Sequence, residues 1–582
     1  MRKTKIICTI GPASENKETL MQMIQNGMNV ARLNFSHGVY EEHENRIKRV
    51  REAARVLQRP VAVMLDTKGP EIRTGFLREK KVRLITGQHF VLTTREVEGT
   101  ADEVQITYSN LPQEVEKGIT ILLSDGLINL FVEETTDTDI ICTVVNGGEL
   151  GEKKGVNVPG VRINLPFLSE KDREDLNFGI DQAVDYIAAS FVRCAEDVLE
   201  IRRIVEERDA DIEIIAKIES QGGVDHLEEI IQVADGIMVA RGDLGVEIPP
   251  EEVPLVQKLL VEKCNTAGKV VIIATQMLDS MIQNPRPTRA EVSDVANAIY
   301  DGADAIMLSG ETAAGKYPVE AVETMARIAG RTEEVLPYSE ILRKKRRQGI
   351  LSVTDSISYA TCATASSLGV TTIITGTQTG TTARMVSKYR PAADIIAVTP
   401  KKRILAKLAL VWGVHPVLAQ ETSGTDQLID ESLRICEKIG YIKQGDMVVL
   451  TAGSPTGFSG GTNLLKVHVV GDVLVKGTGI GHHAVSGSIK VILHDEDLSK
   501  VVNGDILVTI GAFPALVPIL EKVQALVAEE GGLTSDAAII GLNMGIPVIV
   551  GATDATKILK DDMVVTIDTR HGKIYNGVTK VE

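Results

Sequence analysis

The first 320 residues contain eight short apolar runs rich in Val, Ile, Ala and Leu, each five to eight residues long. Near-continuous apolar runs are typical of parallel strands that are covered on both faces. Segments with apolar residues at helical spacing, such as 195–210 and 253–268, separate most of the runs. Strand–helix units repeated eight times predict a (β/α)₈ TIM barrel. The runs are residues 6–10, 30–35, 61–66, 186–191, 212–219, 236–243, 270–275 and 305–311.

One interval between these runs is much longer than the others. About 120 residues separate the third run from the fourth. Within this interval, residues 70–167 hold alternating or β-branched runs that are bounded by Gly and Asp turns. The pattern predicts a small all-β domain inserted after the third barrel strand. The barrel itself is then predicted over residues 1–69 and 168–345.

The strand–helix pattern starts again near residue 350. Residues 346–472 have the short apolar runs and helical segments of an open α/β domain. Its turn at 375–384 follows a strand, precedes a helix and is rich in Thr and Gly, so its hydroxyl and amide groups could hold a phosphate. An ordinary capped helix start explains the same composition. Residues 473–582 are left as a further C-terminal domain, the fourth of the chain.

Polar residues stand at the carboxyl end of every predicted barrel strand. TIM-barrel active sites form at this end of the strands, and a buried charge without a partner is costly. Paired Arg and Glu side chains that plug the barrel are the structural alternative. The variety of residue types favours an active site. These residues are Thr9, Arg32, Asn34, Asp66, Ser190, Lys217, Glu219, Arg241, Asp243, Thr275, Ser309 and Glu311.

Glu219 and Asp243 end consecutive strands, so we expect their carboxylates to be neighbours. Two carboxylates together with substrate oxygens suit Mg²⁺ or Mn²⁺, whereas zinc would favour His or Cys ligands, which are missing beside them. Lys217 lies two residues before Glu219 and therefore on the same face of the strand. Its amine could stabilise a phosphoryl group or an enolate, or it could form a Schiff base.

Two further groups near this pair suit anions. Arg32 offers a planar fork that fits a phosphate. Backbone N–H groups at Gly242 and Asp243, which precede a predicted helix start, could hold a carboxylate or a phosphate. The combination indicates a metal-dependent enzyme that acts on a small, anionic and phosphorylated substrate.

Composition disfavours several classes of protein function. The formal net charge is −16, which disfavours nucleic-acid binding because phosphate neutralisation needs a basic surface. No run approaches 18 continuous apolar residues, so no membrane span is expected. The six cysteines form no CxxC pair and most lie in apolar runs, as expected for reduced thiols in a cytoplasmic protein.

Several of these segments together resemble the pyruvate kinase family. The resemblance runs in order along about 470 residues, and the segments IAKIES (215–220) and 274–302 are its most specific parts. It implies phosphoryl transfer from phosphoenolpyruvate to ADP, giving pyruvate and ATP in the last step of glycolysis. It also implies a homotetramer. The other matching segments are 3–14, 27–38, 64–75, 153–160, 238–249 and 307–318.

The resemblance assigns a role to each candidate side chain. Glu219 and Asp243 would bind Mg²⁺ or Mn²⁺, Lys217 would stabilise the phosphoryl group and enolate, and Arg32 would bind phosphate. Thr275, with the backbone at Gly242 and Asp243, would bind the substrate carboxylate and deliver a proton. Ser309 and Glu311 would form a proton relay. The remaining assignments are Asn34, Ser36, Asp66 and Thr67 for K⁺, and His37, Arg73 and Lys153 for the nucleotide phosphates.

The resemblance also implies a dependence on K⁺. Family members with Glu at position 71 need K⁺, whereas those with Lys there supply the positive charge themselves, and this chain has Glu71. By resemblance, the inserted domain is a small β-barrel, and it would act as a lid that excludes water from the barrel rim.

The C-terminal half carries two further expectations. By resemblance, the turn at 375–384 is the loop that binds a phosphorylated allosteric effector, closed by residues 454–463. The effector residues would be Thr375, Thr377, Thr379, Gly380, Thr381 and Thr382. The segment 531–551 resembles the swivelling phosphohistidine domain of phosphoenolpyruvate-utilising enzymes, but Asp536 stands where that domain has its phosphorylated His. A carboxylate cannot form a phosphohistidine, so we expect a structural, assembly or regulatory role.

Two other functions are compatible with parts of the pattern. A barrel lyase or aldolase acting on pyruvate-like substrates would explain the carboxylate pair, but not Arg32, Lys217 and the lid together. A non-catalytic regulatory paralogue would need only ligand binding, and the full set of charged rim residues disfavours it.

Overall fold

The computed structural model describes residues 1–161, 163–347, 352–453, 461–471, 473–481 and 483–578. The chain forms two compact units. The first consists of Met1–Gly349, Thr379–Arg390 and Lys401–Leu418, and the second of Ile350–Gln378, Pro391–Pro400 and Ala419–Glu582. Strands and helices are numbered below in chain order.

Eight parallel strands of the first unit close into a barrel, as the sequence predicts. Their order around the barrel is β1, β2, β3, β12, β13, β14, β15 and β16, and β16 pairs with β1. Each predicted run overlaps one strand, and the strand residues are almost all buried because helices cover the barrel. The strands are β1 Lys5–Thr9, β2 Val30–Asn34, β3 Ala62–Asp66, β12 Tyr186–Ala189, β13 Glu213–Ile218, β14 Gly236–Ala240, β15 Val270–Ala274 and β16 Ala305–Leu308.

Helices connect the barrel strands, and two of them begin with side chains that cap the helix. Ser169 with Asp172, and Thr288 with Glu291, form capping boxes at two helix starts, in which each side chain accepts from a backbone N–H group. The helices are α1 Lys17–Asn26, α2 Tyr40–Leu57, α4 Glu170–Asp181, α5 Ala195–Glu207, α6 Gln221–Asp225, α7 Leu227–Val233, α8 Arg241–Glu247, α9 Val253–Ala267, α10 Arg289–Asp301, α11 Gly310–Ala313, α12 Pro318–Glu333 and α13 Tyr338–Arg347, with a 3₁₀ turn at Asp279–Ile282.

The predicted insertion between β3 and β12 is a separate β domain with its own apolar core. Its strands form a six-stranded sheet in the order β11, β7, β8, β9, β5 and β6, and a two-stranded sheet of β10 and β4. Buried and less buried residues alternate along β8 and β9, as expected for a sheet with one face on the apolar core and the other face toward solvent. The elements are β4 Lys81–Leu84, β5 His89–Thr93, β6 Glu103–Gln105, α3 Leu111–Glu114, β7 Thr120–Leu123, β8 Ile128–Thr135, β9 Asp139–Asn146, β10 Gly148–Gly151 and β11 Val156–Asn157.

The second unit contains an α/β sheet and a larger C-terminal sheet. In the α/β sheet, β18, β17 and β20 run parallel and β21 pairs antiparallel with β20. Its elements are α14 Val353–Ser367, β17 Thr372–Gly376, β18 Asp394–Thr399, α17 Thr425–Ile439, β20 Met447–Ala452 and β21 Leu464–Val469. The first unit holds α15 Thr381–Lys388, α16 Lys402–Leu408 and β19 Val414–Leu418.

The C-terminal sheet has eight strands in the order β22, β29, β28, β24, β25, β26, β27 and β23. Two apolar clusters, one on each face, surround it. Its elements are β22 Val473–Lys476, β23 Thr478–Ile480, β24 Ala484–Val491, β25 Ile506–Thr509, α18 Val517–Leu520, β26 Ala525–Ala528, α19 Asp536–Met544, β27 Val548–Val550, α20 Ala555–Ile558, β28 Val564–Asp568 and β29 Lys573–Asn576, with 3₁₀ turns at Asp495–Lys500 and Pro514–Leu516. Among the described residues of both units, none of the helices has the length and apolar character that a membrane span requires.

Candidate active site

Lys217, near the carboxyl end of β13, contacts three other side chains that the sequence places at the ends of barrel strands. Its Nζ atom lies 2.6 Å from Ser190 Oγ, 3.1 Å from Asp66 Oδ1 and 3.0 Å from Glu219 Oε1. Burial by itself would lower the pKa of Lys217, but the charges of Asp66 and Glu219 outweigh it and hold this pKa above its ordinary value. The side chain is therefore a fixed ammonium group, which favours electrostatic stabilisation over Schiff-base formation, since the latter needs a neutral amine.

Arg32 lies on the other side of Asp66. Its Nε donates to Asp66 Oδ2 at 2.6 Å, and its Nη1 donates to Thr9 Oγ1 at 2.9 Å. All three side chains are buried. Although burial would raise the pKa of Asp66, the charges of Arg32 and Lys217 lower it overall, so the carboxylate stays ionised between two cations. One buried carboxylate thus orients both candidate phosphate-binding groups.

Glu219 and Asp243 make the candidate divalent-metal site. Glu219 is almost fully buried, and its Oε2 accepts from the backbone N–H of Phe191 at 2.6 Å. Burial raises the pKa of Glu219 to about 7, and the negative charge of Asp243 contributes to this rise. Two neighbouring carboxylates that repel each other fit a hard divalent cation, which would neutralise both and complete its shell with water and substrate oxygens. In the described ranges, no group of three or more His, Cys, Asp and Glu side chains is placed to hold a metal ion.

The four residues predicted for K⁺ lie at the ends of the neighbouring strands β2 and β3. Asn34 and Asp66 are directly paired across these strands. Thr67 is joined to Ser190, whose N–H donates to Thr67 Oγ1 at 3.1 Å and whose hydroxyl donates to the Thr67 carbonyl at 2.7 Å. Asn34 Oδ1 accepts from the N–H of Ser36 at 3.1 Å. Every side chain of the set carries oxygen, which suits a hard monovalent cation.

Thr275 follows β15 in a conformation that is rare for its residue type. Its φ angle is +64° and that of the next residue, Gln276, is +55°, although the left-handed region is strained for a β-branched side chain. The N–H of Gly242 donates to Thr275 Oγ1 at 2.8 Å. The structure therefore brings together the predicted residues of the carboxylate-binding region.

Arg241 fixes this turn. Its Nη2 donates to the Thr275 carbonyl at 2.8 Å and its Nε to the Ala274 carbonyl at 3.3 Å, while its Nη1 lies 2.7 Å from Asp294 Oδ1. The sequence pointed to Arg241 only as a strand-end residue, and nothing in the sequence indicated Asp294. Ser190 was likewise only a strand-end residue, although it contacts both Lys217 and Thr67.

Ser309 and Glu311 are brought together at the start of α11. The N–H of Ser309 donates to Glu311 Oε2 at 2.7 Å, and the N–H of Leu278 donates to Glu311 Oε1 at 3.0 Å. Burial raises the pKa of Glu311. The buried carboxyl group is thus held by two backbone donors from separate strand-end loops.

Two of the three predicted nucleotide residues meet at the base of the inserted domain. Arg73 Nη1 donates to the carbonyl of Lys153 at 2.9 Å, and Arg73 Nη2 lies 2.7 Å from Glu71 Oε2. His37 is exposed on the loop after β2, where its carbonyl lies 2.9 Å from His43 Nε2. No described contact joins His37 to Arg73 or Lys153.

The predicted effector residues are divided between the two units. Thr375 and Thr377 are buried residues of the second unit. In the first unit, Gly380 precedes α15 with a φ angle of +87°, and the hydroxyls of Thr379 and Thr381 are 2.9 Å apart. Thr382, also buried, lies in the first turn of α15. Residues 454–460 of the predicted closing segment lie outside the described residues.

Asp536 is the first residue of α19 in the C-terminal sheet domain. Its side chain is exposed, and the preceding Ser535 caps the helix by accepting from the N–H of Ala538. The position expected to carry a phosphorylated His in phosphoenolpyruvate-utilising enzymes is therefore an accessible helix start, occupied here by a carboxylate.

Comparison with known proteins identifies related domains and full-length relatives of this chain. Three domain families match in succession: the pyruvate kinase barrel domain over residues 1–322, the pyruvate kinase alpha/beta domain over 355–468, and the mobile domain of PEP-utilising enzymes over 501–572. Pyruvate kinase of Geobacillus stearothermophilus is 54% identical over 584 residues, and that of Bacillus licheniformis 53% identical over 585 residues, each alignment covering 100% of both chains.

A solved structure gives the same result. A pyruvate kinase from Cryptosporidium parvum is 41% identical and superposes with a TM-score of 0.77, covering 80% of this chain and 96% of that one. The matches confirm the fold predicted from the sequence and the resemblance on which the predicted reaction depends. The chain belongs to the pyruvate kinase family.

Proposed function

We propose that this chain catalyses its family's reaction, the transfer of the phosphoryl group of phosphoenolpyruvate to ADP in the last step of glycolysis, at the carboxyl-terminal rim of its barrel. The observation that carries this assignment is the Lys217 ammonium, fixed by Ser190, Asp66 and Glu219, with Arg32 on the other side of Asp66. These two cations would supply the positive charge that a transferred phosphoryl group and a developing enolate need.

The chain's own residues would bind and orient the substrate. Arg32 presents its guanidinium to the phosphate, and Lys217 neutralises charge on the transferred group and on the enolate oxygen. The amides near Gly242 and the hydroxyl of Thr275 take the carboxylate end of the substrate. The buried Glu311 and the partly buried Ser309 would hold a proton for delivery to the enolate carbon through Thr275.

The cofactors we propose are Mg²⁺ or Mn²⁺, held by Glu219 and Asp243, and K⁺, held by Asn34, Ser36, Asp66 and Thr67. When bound, these ions supply positive charge to the phosphate oxygens. The support comes from the donor chemistry, which is entirely oxygen. Glu71 forms an ion pair with Arg73 in this structure. Because Glu71 is acidic, it cannot supply the positive charge that K⁺ would bring to the rim.

The inserted β domain would serve as the lid and carry part of the nucleotide site through Arg73 and Lys153, with His37 on the barrel side. Contacts between lid and barrel are already present: Asn157 Nδ2 donates to Glu247 Oε1 at 2.8 Å, and Arg193 Nη1 donates to the Leu165 carbonyl at 3.0 Å. Closing the lid would keep water from competing with ADP for the phosphoryl group.

The remaining assignments are also proposals. We divide the chain into the barrel (1–69 and 168–345), the lid (70–167), the effector domain (346–472) and the C-terminal domain (473–582), and the three matching domain families support the order of this division. We further propose a cytoplasmic homotetramer with a phosphorylated effector bound by the loop at 375–382.

A coupled assay tests the proposal. The chain is mixed with phosphoenolpyruvate, ADP, Mg²⁺ and K⁺, and pyruvate is followed through lactate dehydrogenase. We expect pyruvate and ATP in equal amounts, and no product when ADP is left out. Absence of both products would contradict the proposal. Trapping of a pyruvate–Lys217 adduct by borohydride would favour the lyase alternative, and tight substrate binding without turnover would favour a regulatory paralogue.

A further inference from the structure

The loop after β2 carries Ser36 of the proposed K⁺ site and His37 of the proposed nucleotide site. Asn34 is the last residue of β2 and is paired with Asp66 of β3, whereas Ser36 and His37 lie beyond the strand. Within the loop, the N–H of Ser36 donates to Asn34 Oδ1 at 3.1 Å and the N–H of His37 donates to the Asn34 carbonyl at 3.3 Å. The position of Ser36 therefore depends on what holds the loop.

The imidazole of His43, on α2, contacts the residue on each side of Ser36. Its Nε2 atom lies 2.9 Å from the carbonyl oxygen of His37. Its ring stacks on the ring of Phe35, with centroids 4.1 Å apart and an angle of 11° between the planes. A Cβ atom at Gly38 would lie 3.2 Å from Nε2, so the glycine leaves room for the imidazole beside the loop. One buried side chain thus contacts both neighbours of Ser36.

The contact with the loop also fixes the protonation of His43. A carbonyl oxygen can only accept, so Nε2 carries the proton and donates to His37. The Nδ1 atom is buried and has no hydrogen-bond partner among the described residues. Burial lowers the pKa of His43, although the charges of Asp175 and Glu42 oppose this shift. The ring is therefore neutral, and its N–H group is directed at the loop after β2.

We propose that His43 is a positioning residue, whose Nε2–H holds the backbone at His37 so that Ser36 can join the other proposed K⁺ ligands. The inference rests on the proposed K⁺ site and adds to it a residue from outside the set of ion ligands. A role in packing alone would have a different signature. A Phe ring would fill the same space as the imidazole and would leave no buried nitrogen without a partner.

Three variants test the role of the N–H group. His43→Phe keeps an aromatic ring beside Phe35 but removes the donor that reaches the loop. Tyr40→Phe is the matched control, because the Tyr40 ring also lies near that of Phe35 while its hydroxyl contacts Asp175 and Lys171 instead of the loop. His43→Gln is the conservative rescue, since a Gln amide can place an N–H group close to the position of Nε2.

Binding of K⁺ to the full chain is measured by hydrogen exchange of peptides covering 31–42, titrated with K⁺ at constant ionic strength, and by the K⁺ dependence of the coupled assay. Loss of the hydrogen bond should raise the half-saturating K⁺ concentration about fivefold in His43→Phe, whereas the change in Tyr40→Phe should be less than about twofold. His43→Gln should lie nearer to wild type than His43→Phe does. The kcat at saturating K⁺ should stay within about twofold of wild type in all three, because the proposed ligands themselves are unchanged.

Two results would overturn the proposal. One is an unchanged half-saturating K⁺ concentration in His43→Phe, and the other is an equal rise in His43→Phe and Tyr40→Phe, which would show a general effect of the neighbouring aromatic rings. If His43→Phe does not fold, as judged by circular dichroism, His43→Leu replaces it with the same expectations.

Failure of the proposed reaction would be distinguishable from failure of this inference. A chain that forms no pyruvate would contradict the reaction alone, because the exchange titration reports K⁺ binding without turnover. Exchange in the wild type that does not respond to K⁺ would refute the K⁺ site and the role of His43 with it.

Discussion

Replacing Arg241 with Met tests how the chain holds Thr275 in the left-handed conformation. The guanidinium of Arg241 donates to the carbonyls of Thr275 and Ala274 and pairs with Asp294 on α10. Met keeps much of the apolar stem but removes every donor. Because Thr275 and Gln276 both have positive φ angles, the turn should relax once its carbonyls are released.

The size of the effect follows from the hydrogen bonds that the substitution removes. Hydrogen bonds to a charged group contribute about 1.5–3 kcal/mol each, while the second bond here, at 3.3 Å, is long. Asp294 is one-third exposed and can be rehydrated when Arg241 is replaced, so the unpaired carboxylate adds little. We therefore expect the local stability of the turn to fall by about 2–4 kcal/mol. Displacement of the Thr275 hydroxyl by an ångström would lower kcat about 100-fold.

Hydrogen exchange measured by mass spectrometry reports the local effect in peptides that cover 236–247 and 270–280. The chain has several domains, so a single global unfolding energy is not well defined. Asp294→Asn is the control, since it keeps an acceptor for Arg241 and leaves the bonds to Thr275 in place. We expect faster exchange and a lower kcat in Arg241→Met, and nearly wild-type values in Asp294→Asn. Wild-type exchange with kcat within twofold of wild type in Arg241→Met would refute the reasoning.

Three further changes have definite expected outcomes. Lys217→Met should lower kcat about 1,000-fold or more in the coupled assay, because it removes the cation that stabilises the developing charge; a kcat near that of wild type would disprove its role. Replacing K⁺ with tetramethylammonium should lower initial rates at least about tenfold in the wild type but much less in Glu71→Lys, where an ammonium replaces the bound ion; equal rates in the two salts for the wild type would remove K⁺ from the mechanism. Burial raises the pKa of Asp185 from 3.8 to about 6 although the N–H of Val63 donates to it. The Asp185 carboxyl group therefore binds a proton more tightly in the folded state than in the unfolded state. The stability that protonated Asp185 contributes at low pH is lost as the pH rises through 6. Asp185→Asn should thus raise the temperature of the calorimetric transition of the barrel more at pH 8 than at pH 5, and its stabilisation of the barrel at pH 8 should not exceed about 3 kcal/mol; an equal shift at both pH values would show that ionisation of Asp185 has no part in it.

The pattern of apolar and polar positions is sufficient to predict the barrel, the insertion after its third strand and the end of the barrel at which the candidate site lies. Apolar runs covered on both faces leave few alternatives to a parallel sheet, and the carboxyl ends of parallel barrel strands all lie at one rim. The positions of Lys217, Glu219 and Asp243 at strand ends were therefore sufficient to place them together. The resemblance added the reaction and the roles of residues whose types alone are uninformative, such as Asn34 and Ser36.

The exact ends of the strands and the contacts between distant side chains become visible only in the three-dimensional fold. The run at 236–243 reads as one strand, but β14 ends at Ala240 and α8 begins at Arg241. The turn is fixed by contacts of Arg241 and Gly242 with Thr275, which is more than 30 residues away in the chain. Ser190 joins Lys217 to Thr67 in the same way, across three strands. Such contacts depend on distances between side chains of different strands, and a linear pattern of apolar and polar positions contains no information about those distances.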